Sequence, residues 1–169
     1  SGPDTDPVDP DDANRVSGYI DAAASWCAPN IDGSGDREVL IDAIIKTCRE
    51  FSPRQDDWDI TWCQAHLVAA SCKESSMNIE LINEPGSDPT VGLLQNRFSS
   101  TVADFDARGP LDAMERIGCA WPVINDGDTA LDHMDFMQDV ACNIALGAWY
   151  YYVFATGNGG DSVVYHWQY

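Results

Sequence analysis

Basic side chains are scarce in this chain: nine lysines and arginines stand against 28 aspartates and glutamates in 169 residues, for a formal charge of -19 at pH 7. Nucleic-acid recognition needs a basic footprint against phosphate, and adhesion to anionic lipid needs one as well, so both partner classes are excluded. No run approaches the roughly 18 apolar residues of a spanning helix. Cys-x-x-Cys pairs are missing, and His66, His133 and His166 are scattered, so neither a zinc site nor a redox motif is expected, and no cofactor. A Gly-x-Ser-x-Gly nucleophile elbow is missing too. Period-two alternation of any length is absent, which predicts a mainly α fold. An initiator methionine and a signal-like N-terminus are also lacking, and the expectation is a secreted, monomeric protein whose targeting segment has been removed.

What the chain does have is six cysteines spread along its length, Cys27, Cys48, Cys63, Cys72, Cys119 and Cys142. An even number without metal-ligand spacing reads as disulfides made in an oxidising compartment, with the pairing left open. A free Cys63 or Cys72 activated by His66, His133 or His166 would instead give a Cys/His peptidase, but a nucleophilic thiolate has to be unpaired.

Residues 1–15 are rich in proline and aspartate and nearly devoid of apolar side chains, so a flexible linker or tail is expected, with a possible cell-wall-binding module upstream. Residues 16–169 then read as one domain. Helical spacing begins with Val16, Ile20, Ala23 and Ala24. Asp32, Ser34 and Asp36 offer oxygens at alternate positions, the front half of a calcium loop, yet Ile41 stands where the closing glutamate belongs; Asp36 is therefore read as the cap of the next helix. That helix carries Val39, Leu40, Ala43, Ile44 and Thr47 on one stripe. After a charged connection at 51–59, a third helix over 60–77 shows Trp62, Ala65, Ala69 and Cys72 in register. Thr101 and Asp104 have capping-box-like spacing. Further helices are expected over 111–120 and from Thr129 onward, the latter broken near Gln138 or Asp139. A turn at 157–161 and a final helix close the chain.

The chemistry concentrates between His66 and Asn96. Glu74 follows Leu67, Val68, Ala69, Ala70 and Cys72, apolar neighbours that disfavour a carboxylate anion and suit a proton donor. A polar loop at 83–90 then brings Asp88 close in sequence to the Gly92-Leu93-Leu94-Gln95 turn, a second carboxylate that could face Glu74.

Glu74-Ser75, Gly92-Leu93-Leu94-Gln95, Asn143-Ile144 with Gly147 and Tyr150, and Tyr169 occur in an order and spacing that resemble goose-type lysozymes and soluble lytic transglycosylases of the lysozyme superfamily. The likeness covers residues 65–169 and none of the first 60. It implies a lysozyme-like helical domain with Glu74 as general acid, Gln95 and Ser75 as sugar contacts, and Tyr169 as a wall of the cleft. Tyr165 is the alternative for that last role, because the asparagine that follows the matching tyrosine in many transglycosylases is absent here. Asp88 matches by position the loop carboxylate that places a water. Arg97 replaces the acid that the family carries two residues after its glutamine. The implied activity is that of a muramidase, cleaving the β-1,4 bond between N-acetylmuramic acid and N-acetylglucosamine in peptidoglycan strands. Two alternatives remain: a transglycosylase giving 1,6-anhydro ends, and a secreted carbohydrate-binding protein without catalysis.

Overall fold

The computed structural model describes residues 6–31, 35–54, 56–84 and 86–154. Helix α1, Pro10–Ala23, starts on a proline, whose missing N–H is harmless in a first turn. Asp9 caps it by accepting from the Asp11 amide at 2.9 Å, and Asp11 and Asp12 add favourable charge at the same end. The tail expected through residue 15 therefore gives way to helix at Pro10. Its charged residues are those of a helix start, and they are tied down: Arg15 Nε donates to Gln64 Oε1 at 3.2 Å, while Gln64 Nε2 donates to Asp12 Oδ1 at 3.3 Å.

Helix α2, Asp36–Phe51, buries Leu40, Ala43, Ile44, Thr47 and Cys48, whereas Val39 from the expected stripe faces out. Its cap is Gly35, at a left-handed φ of 82°, and Asp36 is the first helical residue, so the expected capping role of Asp36 is corrected. Helix α3, Asp57–Ser75, is capped by Asp56, which accepts from the Asp59 amide at 2.7 Å. Its buried face is Cys63, Leu67, Val68 and Cys72; Trp62, Ala65 and Ala69 form a half-buried flank.

After α3, three two-residue strands, β1 Ile82–Asn83, β2 Thr90–Val91 and β3 Asn96–Arg97, form an antiparallel sheet in the order β1-β2-β3, pairing Ile82 with Val91 and Val91 with Asn96. A π-helical turn, Phe98–Val102, passes directly into α4, Ala103–Arg108, so the capping expected from Thr101 and Asp104 does not form and Thr101 is buried. Helix α5, Leu111–Ile117, ends on Gly118 at φ 97°. A capping box joining Thr129 and Asp132 opens a 3₁₀ turn, Ala130–His133, which leads into α6, Met134–Gln138. The break falls where it was expected: Asp139 is extended and accepts from the Cys142 amide at 2.9 Å, starting α7, Val140–Ala148. A second π-helical turn, Trp149–Phe154, continues it.

Helix α7 is almost wholly buried and packs along α2, while α1 and α3 close over the other side of α2. Disulfides Cys27–Cys72, Cys48–Cys63 and Cys119–Cys142 staple the end of α1 to α3, α2 to α3, and the segment after α5 to α7. The protein is thus mainly helical and cross-linked, and every cysteine is paired, which removes the Cys/His peptidase alternative. No helix among the described residues is long and apolar enough to cross a membrane. The turn and final helix expected after residue 156 lie outside the described residues.

Candidate active site

Glu74 sits on the last turn of α3, and that turn is held from several sides. The Cys27–Cys72 bond grips it two residues earlier. Ser76 and Met77, both left-handed at φ 51° and 57°, stop the helix immediately after it, and the Met77 amide donates back to the Ser71 carbonyl at 3.0 Å. Asn30 completes the anchor, giving its amide and its side-chain Nδ2 to the Ser76 carbonyl at 3.2 and 3.0 Å. Ser75 turns inward: it is buried, and its hydroxyl donates to the Ser71 carbonyl at 3.0 Å, so it supports the helix end from beneath. Glu74 itself is half-buried.

Tyr151, in the π-helical turn after α7, feels the charge of Glu74. Burial is the main cause that pushes its phenol above the ordinary value, and the neighbouring Glu74 carboxylate pushes it further, followed by Tyr150. Tyr151 therefore stays protonated within electrostatic reach of Glu74. Its neighbour Tyr152 is buried and reaches His66 Nδ1 on α3 with its hydroxyl, at 3.3 Å. One turn thus addresses α3 at both His66 and Glu74.

The Gly92-to-Gln95 turn is locked to α7. Asn143, 1% exposed, accepts from the Leu94 amide at 2.8 Å and donates to the Val91 and Met137 carbonyls, each at 2.9 Å. Asn96 returns a bond to the Asn143 carbonyl at 2.9 Å. Gly92 has φ 80°, and a Cβ there would lie 2.4 Å from Asn143 Nδ2; a Cβ on Gly147 would lie 2.5 Å from Leu94 Cδ1. Only glycine satisfies both positions without displacing the turn or the helix. Gln95, also left-handed at φ 52°, uses its amide inside the protein: Oε1 accepts from Asn83 Nδ2 at 2.9 Å and Thr90 Oγ1 at 2.8 Å, and Nε2 donates to the carbonyls of Leu81 at 3.2 Å and Gly92 at 2.8 Å. All four hydrogen-bonding positions of that amide are filled, so Gln95 shapes the sheet, and a sugar would have to displace one of these partners.

Asp88 lies in the loop between β1 and β2 with 34% of its side chain exposed. Its carboxylate accepts from the Ser99 amide at 3.1 Å and from the Ser99 hydroxyl. Arg97 donates to the Asp88 backbone carbonyl at 2.7 Å, stands 3.6 Å from its carboxylate, and pairs with Glu84 across the sheet. Burial draws the Asp88 carboxyl upward, but the Ser99 donors and Arg97 outweigh it and hold the group below the ordinary carboxylate value. Such a carboxylate is a fixed anion, suited to orienting water or facing positive charge and unsuited to donating a proton. Arg97, in the position where an acid was expected, is the clamp on this loop.

The arrangement therefore brings Glu74 to Tyr151, Asp88 to Ser99 and Arg97, and Gln95 to Asn83 and Thr90. Tyr165 and Tyr169 lie outside the described residues. Sequence reasoning missed Tyr151, Ser99 and the clamping role of Arg97. The aromatic run Trp149–Phe154 was the available signal for the first; nothing local marked the other two. Both π-helical turns lie at these groups, a placement such turns often have at functional sites. No protein-family model matches the chain, and no curated protein or solved structure matches it either.

Proposed function

We propose that the chain is a lysozyme-like glycoside hydrolase, a muramidase that cleaves the β-1,4 bond between N-acetylmuramic acid and N-acetylglucosamine of peptidoglycan strands. The observation that carries this reading is the joint placement of the residues behind the resemblance. Glu74 is mounted on an anchored helix end within electrostatic reach of a neutral tyrosine. Gly92, Leu94, Asn96, Asn143 and Gly147 pack as one unit. Gly92, Leu94, Asn143 and Gly147, which matched a pattern separately in sequence, depend on one another in space, which supports that part of the resemblance.

In this mechanism Glu74 protonates the bridging oxygen as positive charge develops on the sugar ring. Asp88, held as an anion by Ser99 and Arg97, directs a water to the opposite face. Inversion then follows, and that geometry requires the two carboxyl groups to be roughly 6.5–9.5 Å apart. The three disulfides fit an extracellular protein that works as a monomer on wall fragments.

A second outcome is favoured by the engagement of Asp88 with Ser99 and Arg97. A carboxylate so occupied can leave the 6-hydroxyl of the substrate to attack instead, releasing a 1,6-anhydro sugar lighter by one water. Clearing of a peptidoglycan suspension, followed by product mass, decides between hydrolysis, transglycosylation and a binder that does neither. Glu74→Gln should abolish clearing, and full activity in that variant overturns the assignment.

A further inference from the structure

At the opposite end of α3 from Glu74, Trp58 and Trp62 stand one turn apart and, with Pro53 and Arg54, line a shallow groove of about 350 Å³ whose walls are almost wholly apolar. Trp58 is 63% exposed, an unusual position for an indole in so polar a chain. The groove is held in shape without a ligand. Asp59, 2% exposed, accepts from the Arg54 amide at 2.6 Å and stands 3.6 Å from Arg54 Nε, which latches the segment before α3 onto its first turn. The Arg54 guanidinium lies over the Trp58 ring at 5.0 Å. Trp62 is backed by His66 at 4.5 Å and by Tyr152 at 5.9 Å between ring centres.

We infer that this groove is a second glycan-binding surface, which stacks the uncharged N-acetylglucosamine units of a β-linked N-acetylhexosamine strand on Trp58 and Trp62 away from the bond being cleaved. The choice of a glycan rests on the function proposed above. The remaining occupants are disfavoured by size and charge. Two indoles, already partly buried, offer less than about 500 Å², below the roughly 600 Å² that each partner contributes to even a small stable protein interface, so a second copy of the chain is too weakly held. The excess of acids over bases repels polyanions. A neutral sugar strand needs neither area nor charge; its C–H faces and acetamido methyl groups lie flat on aromatic rings. Along the helix, Trp58 and Glu74 are separated by about 24 Å at 1.5 Å per residue, and they face different directions around it. The surface therefore holds a neighbouring strand, or a distant part of the same one, and does not extend the cleft.

The test uses the full chain with Trp58→Ala, a substitution at an exposed position, and Trp62→Phe, which keeps a ring over His66. Binding to insoluble chitin is measured by depletion, and binding to a soluble N-acetylglucosamine oligosaccharide by tryptophan fluorescence. Glu74→Gln is the background, so that nothing is digested. Trp58→Ala should weaken binding to chitin about tenfold, the effect of losing one stacking contact of ordinary strength, while clearing of short soluble glycans by the otherwise unmodified chain is unchanged. Unaltered chitin binding in Trp58→Ala overturns the inference, as does self-association in sedimentation that Trp58→Ala abolishes. The two proposals fail separately. Binding through Trp58 by a chain that cleaves no glycan removes the muramidase reading alone; Glu74-dependent cleavage with binding indifferent to Trp58 removes only this surface.

Discussion

Replacing Asn143 should be among the most damaging single changes in the protein, and its size can be worked out bond by bond. Alanine at 143 leaves the Leu94 amide and the Val91 and Met137 carbonyls without their partner in a region closed to solvent. An orphaned buried polar group costs about 1–3 kcal/mol, so the three together give about 3–9 kcal/mol, with the vacated volume adding to it. Domains of this kind have only about 5–15 kcal/mol in hand. In urea, with a slope of about 2 kcal/mol/M, the midpoint falls by about 1.5 M or more, measured with the disulfides intact. Asn143→Asp separates hydrogen bonding from shape. The carboxylate still accepts from Leu94 but meets two carbonyl oxygens where the amide donated at 2.9 Å. Protonation restores one donor, so the folded state raises the pKa of this group above its unfolded value. More protons are bound by the folded chain in that interval, and the variant gains stability as pH falls through the folded pKa and loses it as pH rises. Wild type has no such titration at this position. An Asn143→Ala midpoint within about 1 kcal/mol of wild type, or an Asn143→Asp variant that tracks wild type at every pH, refutes the assignment of Asn143 as the lock of the turn.

Loss of the Cys27–Cys72 disulfide by paired serine substitution should cost about 4 kcal/mol and loss of Cys48–Cys63 about 3 kcal/mol, following loop lengths set by separations of 45 and 15 residues. Only the first should also depress kcat, because it grips the turn that carries Glu74; equal kcat in both variants would separate that disulfide from the site. Gly147→Ala drives a methyl group against Leu94 and should destabilise by about 1–3 kcal/mol, as a lowered thermal midpoint, relieved in part by Leu94→Val. The carboxyl groups of Asp88, Asp112 and Asp128 are all held below 3.8, by the groups around Ser99 and Arg97, by Arg116, and by the Asn125 amide with His133 respectively. Their contribution to stability is present above that value and disappears as pH falls through the lowered folded pKa values. Ser99→Ala should move the Asp88 titration, followed by carboxyl NMR, upward toward the ordinary value; an unmoved titration shows that Ser99 does not hold the charge.

Helix positions were the most legible part of the fold, because Leu40, Ala43, Ile44 and Thr47 on α2 repeat with the period of the surface they bury. The break near Gln138 or Asp139 was legible from length alone, since the helical run from Thr129 exceeds an average helix of about 11 residues; that Asp139 makes it, by capping α7, shows only in the structure. The sheet was not visible, since strands of two residues are too short to alternate. The start of α1 was hidden by composition, as Asp9, Asp11 and Asp12 look the same in a helix cap and in a solvated tail. Glu74 was singled out by its apolar neighbours, of which Leu67, Val68, Ala70 and Cys72 turn out to face the core while Glu74 is half-buried. Gln95 could be found but not assigned, because an amide that binds sugar and one that ties a sheet together have the same sequence. Ser99 and Arg97 act on Asp88 from across the sheet, a relation that exists only after β2 and β3 pair.

The π-helical turn that follows α7 has a genetic consequence. A turn of this kind holds one residue more than the α-helical turn it replaces, so the six-residue run Trp149–Phe154 behaves as an α-helix carrying an insertion. Deleting a single codon there would leave the backbone free to close as ordinary helix, with little loss of hydrogen bonding. The side chains within the turn would change direction, taking Tyr152 off His66, while α7 before it kept its phase. A lineage could thus break or remake this contact with α3 by gain or loss of three nucleotides, without altering any residue that faces the core of α7.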